Sequence, residues 1–443
     1  KGCGPFFGLR RNAMEIKEQS GLRAVLQDVK LPDMYLIRQH FERDGIDDVA
    51  AYLREKLARE DLRARIKPGM RVVLTGSSRQ VANMPVILRE VAAFVKEQGA
   101  QPYIIPAMGS HGGATAEGQR EILESYGITE EFCGCPIYSS METVQVGEME
   151  CGDEVRIDKF AQSADAIILV GRIKAHTAFR GRYESGLDKM MAIGLGKREG
   201  ADSLHRAGFG LMGERIPQYA KVVYEHCNII FGVGTIENEF DQTCRIEVLP
   251  AEEIFDKEPE LLLYAKSRLP RLLFPETDVL VVREIGKNFS GSGMDPNVTG
   301  TFGTPYATGG IKKARTVVLD ISEESHGNFI GLGMADTITK RAFEKLDTNS
   351  TYFNMITSTV LGVGKIPMVL EDDRMAIQVA LRTLTNVDKD RARVVYIKNT
   401  LSLQNVLISE ALLEQARSLD GVEILEGPRP MRFDENGTLL DFA

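Results

Sequence analysis

Tryptophan is absent from this 443-residue chain, and histidine and cysteine occur six times each. Six cysteines are too few for a disulfide scaffold in a chain of this length. They stand at 3, 133, 135, 151, 227 and 244. Cys133-Gly134-Cys135 is C-x-C rather than C-x-x-C, and no second pair lies at zinc-site spacing, so reduced thiols in a cytoplasmic protein are expected. No apolar run reaches the roughly 18 residues that span a bilayer. An excess of positive charge is also missing: 54 Lys and Arg against 63 Asp and Glu leave a net charge of −9. That balance argues against nucleic acid as the main partner. Residues 1–13 hold only Pro5-Phe6-Phe7 as an apolar piece, too short for a secretory signal core, and no function is expected there.

What is present reads as a soluble globular protein, with 43% hydrophobic and 26% charged residues. At roughly 100–200 residues per domain, two or three domains are expected. Short runs rich in Val and Ile predict strands at 70–75, 102–107, 165–170, 228–234, 278–283, 315–321 and 393–397. Nearly continuous apolar runs of this kind suit strands buried on both faces of a parallel sheet. Helices are predicted at 81–98, with Gly99 as stop, and at 115–126, stopped by Gly127. The alternation implies an α/β fold of two domains, each a mostly parallel sheet flanked by helices. Pro270 and Pro275 flank a short apolar stretch and mark a linker at about 270–275. The expected units are therefore 1–269, carrying the catalytic and cofactor-binding groups, and 276–443. An active site in the cleft between them is expected, with the linker as hinge.

Open α/β sheets bind ligands beyond the carboxyl ends of their strands. Three consecutive predicted strand ends lead into Gly76-Ser77-Ser78-Arg79, Gly109-Ser110-His111-Gly112-Gly113 and Gly171-Arg172-Ile173-Lys174-Ala175-His176. Gly109 to Thr115 is a glycine-rich turn into a helix, which suits a phosphate or carboxylate; a plain tight turn with His111 on the surface is the alternative. The densest segment, 172–206, carries Arg172, Lys174, Arg180, Arg182, Lys189, Lys197, Arg198 and Arg206 against Glu184, Asp188, Glu199 and Asp202. Its local excess of positive charge would attract anions, and its glycines, Gly186 and Gly194 among them, would let backbone approach a ligand. The alternative is a solvated charged face. Lys189, in an apolar glycine-lined setting, could serve as nucleophile or covalent anchor. His40 and His226 read as structural, and His326 as a loop residue or a cleft residue. Asp372-Asp373 reads as a solvated loop or helix start, and Met190-Met191 and Met334 as packing.

With these residues in order, the chain resembles the nickel-pincer lactate racemase family. The resemblance rests on Ser-Ser-Arg79 before a Pro-containing helix, Gly-Ser-His111, Lys-Ala-His176, Gly-Leu-Asp-Lys189 with Gly194 and Gly196 after it, and His205. It covers about residues 65–240. It implies a pyridinium-3-thioamide-5-thiocarboxylate mononucleotide, the nickel-pincer nucleotide, attached at Lys189, with His205 as the protein's nickel ligand. A sulfur-rich site with one imidazole suits Ni(II). Gly109, Ser110, Gly112, Gly113, Lys174, Gly186 and Gly194 would help to hold the nucleotide. The resemblance further implies hydride abstraction from C2 of a 2-hydroxy acid and its return to the opposite face. His111 and His176 would exchange the hydroxyl proton, and Arg79 would orient the carboxylate.

Some positions differ from the family's lactate enzymes. Gly76 stands three before Arg79 where an acidic residue is expected. Gly291 to Gly300, preceded by Lys287 and Asn288, replaces an expected Gln-x-x-Lys. A larger or more polar 2-hydroxy acid than lactate is therefore expected as substrate. The expected partners are that small anion and cofactor-synthesis proteins, with no membrane or nucleic acid; homo-oligomerisation stays open. Two further readings remain open: a cofactor-free lyase or isomerase with Lys189 as Schiff base, and a non-catalytic binding protein for an anionic nucleotide.

Overall fold

The computed structural model describes residues 19–77 and 80–440, so residues 1–13 lie outside the described residues. Two sheets dominate the chain. The first has five strands in the spatial order Gln101–Pro106, Arg71–Gly76, Ala166–Arg172, Ile229–Glu237 and Thr243–Pro250. The first four run parallel and the last is antiparallel. Its strands alternate strictly between two cores, as the period of two requires. Val72, Leu74, Ile104, Ile168 and Val170 face helices Val49–Leu57 and Met84–Glu97. Val73, Tyr103, Ile105, Ile167 and Leu169 face the other way, toward helices Met212–His226 and Ile254–Ser267. The expected strands and both expected helices are present, with boundaries that coincide or shift by up to three residues. Not expected were the antiparallel edge strand Thr243–Pro250 and a separate hairpin, Thr143–Glu148 with Glu154–Asp158.

The second sheet has eight strands, in the order Met368–Leu370, Thr337–Thr339, Arg315–Ile321, Val279–Ile285, Val394–Ile397, Asn405–Ser409, Met34–Gln39 and Val422–Arg429. The first five are parallel and the remainder antiparallel. Strand Met34–Gln39 thus precedes the first sheet in sequence but pairs within the second. The chain crosses between the sheets twice, just after Gln39 and again near Leu269–Pro275. Both crossings are fastened together. The buried Gln39 amide donates to Arg271 O and Leu403 O at 3.2 and 2.7 Å and accepts from Leu273 N at 2.7 Å. Arg268 bonds Glu42 and Asp44, both at 2.6 Å.

In the first sheet the chain runs from Arg71–Gly76 outward to one neighbour, then returns to the other side for Ala166–Arg172. The loops after these two adjacent strands leave in opposite directions, which opens a crevice at their carboxyl ends.

Candidate active site

Of the residues expected at the strand ends, Ser78 and Arg79 lie outside the described residues. The next strand, Gln101–Pro106, leads into Met108 and the glycine-rich turn. Gly112 is left-handed at φ +64°, and a Cβ there would lie 2.5 Å from Gly118 C. The turn therefore closes on the first turn of helix Ala116–Ser125, where Thr115 Oγ1 accepts from Gly118 N at 3.1 Å. Gly113 and His111 are exposed, and Ser110 is half-buried. His111 Nδ1 lies 2.7 Å from Met108 O. A carbonyl oxygen can only accept, so Nδ1 carries the hydrogen, and in the neutral ring the lone pair is then on Nε2.

The turn also packs on the segment that bears Lys189 and His205. At Gly109 a Cβ would stand 3.1 Å from Ile193 Cγ2 and 3.6 Å from Ala201 Cβ. At Gly194 it would stand 3.0 Å from Ala107 O. Ala201 and His205 share helix Lys197–Arg206, and Ile193 belongs to the turn Met190–Gly194 directly after Lys189. Lys189 ends the short helix Leu187–Lys189 and is half-buried. His205 is half-buried as well. Its burial, then the Lys189 ammonium, holds its pKa below the ordinary 6.5. The effect of Lys189 on His205 means that the two side chains are electrostatic neighbours.

His176 comes after strand Ala166–Arg172 and stands on the same phenyl ring as His205. Phe209 lies 6.2 Å from the His176 ring and 5.7 Å from the His205 ring, centroid to centroid. Phe179 covers the His176 ring at 4.4 Å. His176 Nδ1 accepts from Ala178 N at 3.1 Å. In the neutral ring the hydrogen therefore sits on Nε2, the opposite arrangement to His111. The His176 backbone N–H donates to the buried Glu184 at 2.8 Å.

The loop bearing His176 is gripped by the loops of the second sheet. Lys174 Nζ lies 3.3 Å from Asp295 Oδ2. Ser292 Oγ donates to Thr177 Oγ1 at 3.1 Å. Arg180 donates to Thr308 O at 2.8 and 3.1 Å, to Asn297 Oδ1 at 2.5 Å and to His176 O at 2.6 Å, and its guanidinium lies 5.1 Å from the Phe302 ring centre.

The expected free positive patch is not what the segment 172–206 forms. Arg172 pairs with Glu237, Lys174 with Asp295, Arg180 with Glu184, Arg182 with Asp256, Lys197 with Asp158 and Arg198 with Asp202. Four of those six carboxylates come from outside the segment, so a count along the sequence could not see them. Lys197 is wholly buried.

Two further residues, Phe209 and Glu258, shape the site and gave no signal in the sequence. Phe209, between Gly208 and Gly210, reads as an ordinary loop aromatic. Glu258 reads as one charge of a charged helix, yet it is fully buried: its Oε2 accepts from Leu187 N and Asp188 N at 2.7 and 3.0 Å and pins the turn ahead of Lys189. At Gly186 a Cβ would fall 2.3 Å from Glu258 Oε1, so a larger residue there would displace the Glu258 carboxylate. Asp188 is buried beside Glu258, and among the described residues neither of its carboxyl oxygens has a hydrogen-bond donor. Burial, then Glu258, raises the Asp188 pKa well above the usual carboxylate range, and burial pushes Glu258 to about 7. The remaining histidines fall elsewhere. His40 contacts Glu423 at 3.1 Å, His226 contacts Val222 O at 2.9 Å, and His326 takes the left-handed φ of +47° after a short 3₁₀ turn. Asp372 caps helix Asp373–Arg382.

These features define an α/β protein with a polar site at a switch point of a parallel sheet. Residues 20–216 match the family model of the lactate racemase N-terminal domain. The lactate racemase apoprotein from Thermoanaerobacterium thermosaccharolyticum has a similar fold. The match has a TM-score of 0.50 at 12% identity and covers 84% of this chain and 99% of that one. No curated protein sequence matches. Among the described residues, no helix is long and apolar enough to cross a membrane.

Proposed function

We propose that this protein is an isomerase, a racemase or epimerase of a 2-hydroxy acid other than lactate, working with a nickel-pincer nucleotide joined to Lys189 and ligated by His205. The observation that carries the proposal is the gathering of His176 and His205 on one Phe209 ring, with the His111 turn packed against the helix of His205. The donor set fits the group in its chemistry: Lys189 offers an amine for the covalent link, and His205, whose pKa is held below the ordinary value by burial and then by Lys189, offers an imidazole as ligand. When bound, the group supplies an electron-poor ring that accepts the C2 hydride.

The chain's own residues handle the proton and the orientation. His111 presents its Nε2 lone pair and takes the hydroxyl proton from one face. His176 presents Nε2–H and donates to the substrate oxygen from the other. The two rings thus start from opposite forms, set by what each Nδ1 touches. Arg79 orients the carboxylate by a bidentate pair. We read the chain as two units joined at 270–275, with the loop 174–180 reaching across to the second. In this reading the protein works with the enzymes that make the nucleotide.

The test is protein produced together with those enzymes. Mass spectrometry is expected to find an adduct on the Lys189 peptide; an unmodified Lys189 under those conditions overturns the cofactor assignment. A panel of C2-deuterated 2-hydroxy acids is expected to yield one that inverts with deuterium retained. Washout to solvent would mean proton abstraction at C2 and would refute the hydride route.

A further inference from the structure

Lys197 stands at the entry of the helix that carries His205, in a left-handed conformation at φ +52°. A non-glycine residue keeps such a backbone only where its surroundings over-determine it. Its ammonium is completely buried and reaches three partners: Asp158 Oδ2 at 3.0 Å, Gln119 Oε1 at 3.1 Å and the carbonyl of Pro106. Pro106 is the last residue of the strand that leads to His111. Gln119 is also completely buried. Its Nε2 donates to Gly109 O at 2.8 Å and to His111 O at 3.2 Å, both in the first half of the turn. Asp158 completes the chain of contacts: its N–H donates to Leu195 O at 2.8 Å, just ahead of Lys197, and its Oδ1 caps the helix Lys159–Gln162.

From this chain of contacts we infer that Gln119, held by the buried Lys197, is the positioning residue for His111. The amide carries both functions. Its oxygen accepts from the ammonium, which fixes which end is nitrogen, and its nitrogen then holds the two carbonyls of the glycine-rich turn. The exposed His111 ring is thereby tied to the element that bears His205. Asp158 and Lys197 set this arrangement and touch no ligand. The assignment rests on the reading of His111 as a proton acceptor, but its test does not.

The experiment uses the full chain without cofactor, labelled with ¹³C at histidine Cε1, so that all six imidazoles report separately. His111→Gln assigns the His111 signal. Gln119→Glu keeps an oxygen for Lys197, now as an ion pair, and removes both N–H donors to the turn. Gln119→Met removes the contact to Lys197 as well. In both variants the His111 signal is expected to shift and broaden while those of His40, His226 and His326 stay in place. A folded Gln119→Glu protein whose His111 signal coincides with that of the unsubstituted chain overturns the inference. So does a shift of all six signals together, which marks a general loss of structure. The Lys189 adduct experiment is independent: a missing adduct would leave the positioning of His111 intact, and an unmoved His111 would leave the cofactor link intact.

Discussion

Replacing Lys197 by methionine should unsettle the first sheet far more than a typical lysine substitution. Lys197 and Asp158 are both completely inaccessible, with the ammonium 3.0 Å from Asp158 Oδ2. Burial pushes the Asp158 pKa up and the Lys197 pKa down, and in both cases it outweighs the attraction of the partner. The pair is therefore costly to bury and costlier to break. Lys197→Met leaves a buried carboxylate without its cation, a loss of about 3–5 kcal/mol. For a unit of this size that corresponds to a fall in melting temperature of roughly 10 °C. Adding Asp158→Asn removes the orphaned charge and keeps Oδ1 as the cap for Phe160 N and Ala161 N. The double variant should recover most of the loss. Thermal melts of the two single variants and the double variant, read at one pH, decide it. Full stability in Lys197→Met, or a double variant no better than the single, would refute the argument.

Two other outcomes concern the surroundings of the site. The Asp188–Glu258 pair holds a proton in the folded chain that the unfolded chain releases, since the folded pKa values lie above the ordinary 3.8 and 4.5, with Glu258 at about 7. A raised acid pKa gives stability that declines as pH rises from about 4 through 7. Asp188→Asn should flatten that decline and melt higher than the unsubstituted chain at pH 8; equal slopes would contradict it. Arg180→Met removes the charge-assisted bonds to Thr308 O, Asn297 and His176 O, for a loss on the order of 3 kcal/mol. Limited proteolysis should then cut within 174–182, and an uncut loop would show that the grip lies elsewhere.

The strand-end residues were legible because the signal is local. Val- and Ile-rich runs must be strands buried on both faces, and the loops at the carboxyl ends of parallel strands must lie at one edge of the sheet. His111 and His176 could be singled out on that basis, whereas Lys189 and His205 drew attention through their glycine-rich, basic segment and the family resemblance. Arg79 obeys the same logic but lies outside the described residues. The basic segment was illegible for the opposite reason: charge along a sequence counts only neighbours, and Asp158, Glu237, Asp256 and Asp295 arrive from other elements.

The sequence by itself determined the alternation of strands and helices, and therefore which loops share an edge, because periodicity and turn residues act over a few positions. Only the tertiary structure decided that Met34–Gln39 pairs in the second sheet, that Glu258 and Gln119 are buried holders of the Lys189 and His111 turns, and that Phe209 joins two imidazoles. Those outcomes depend on hydrogen bonds and packing between segments far apart in the chain, and a buried polar group is defined by the partner that satisfies it.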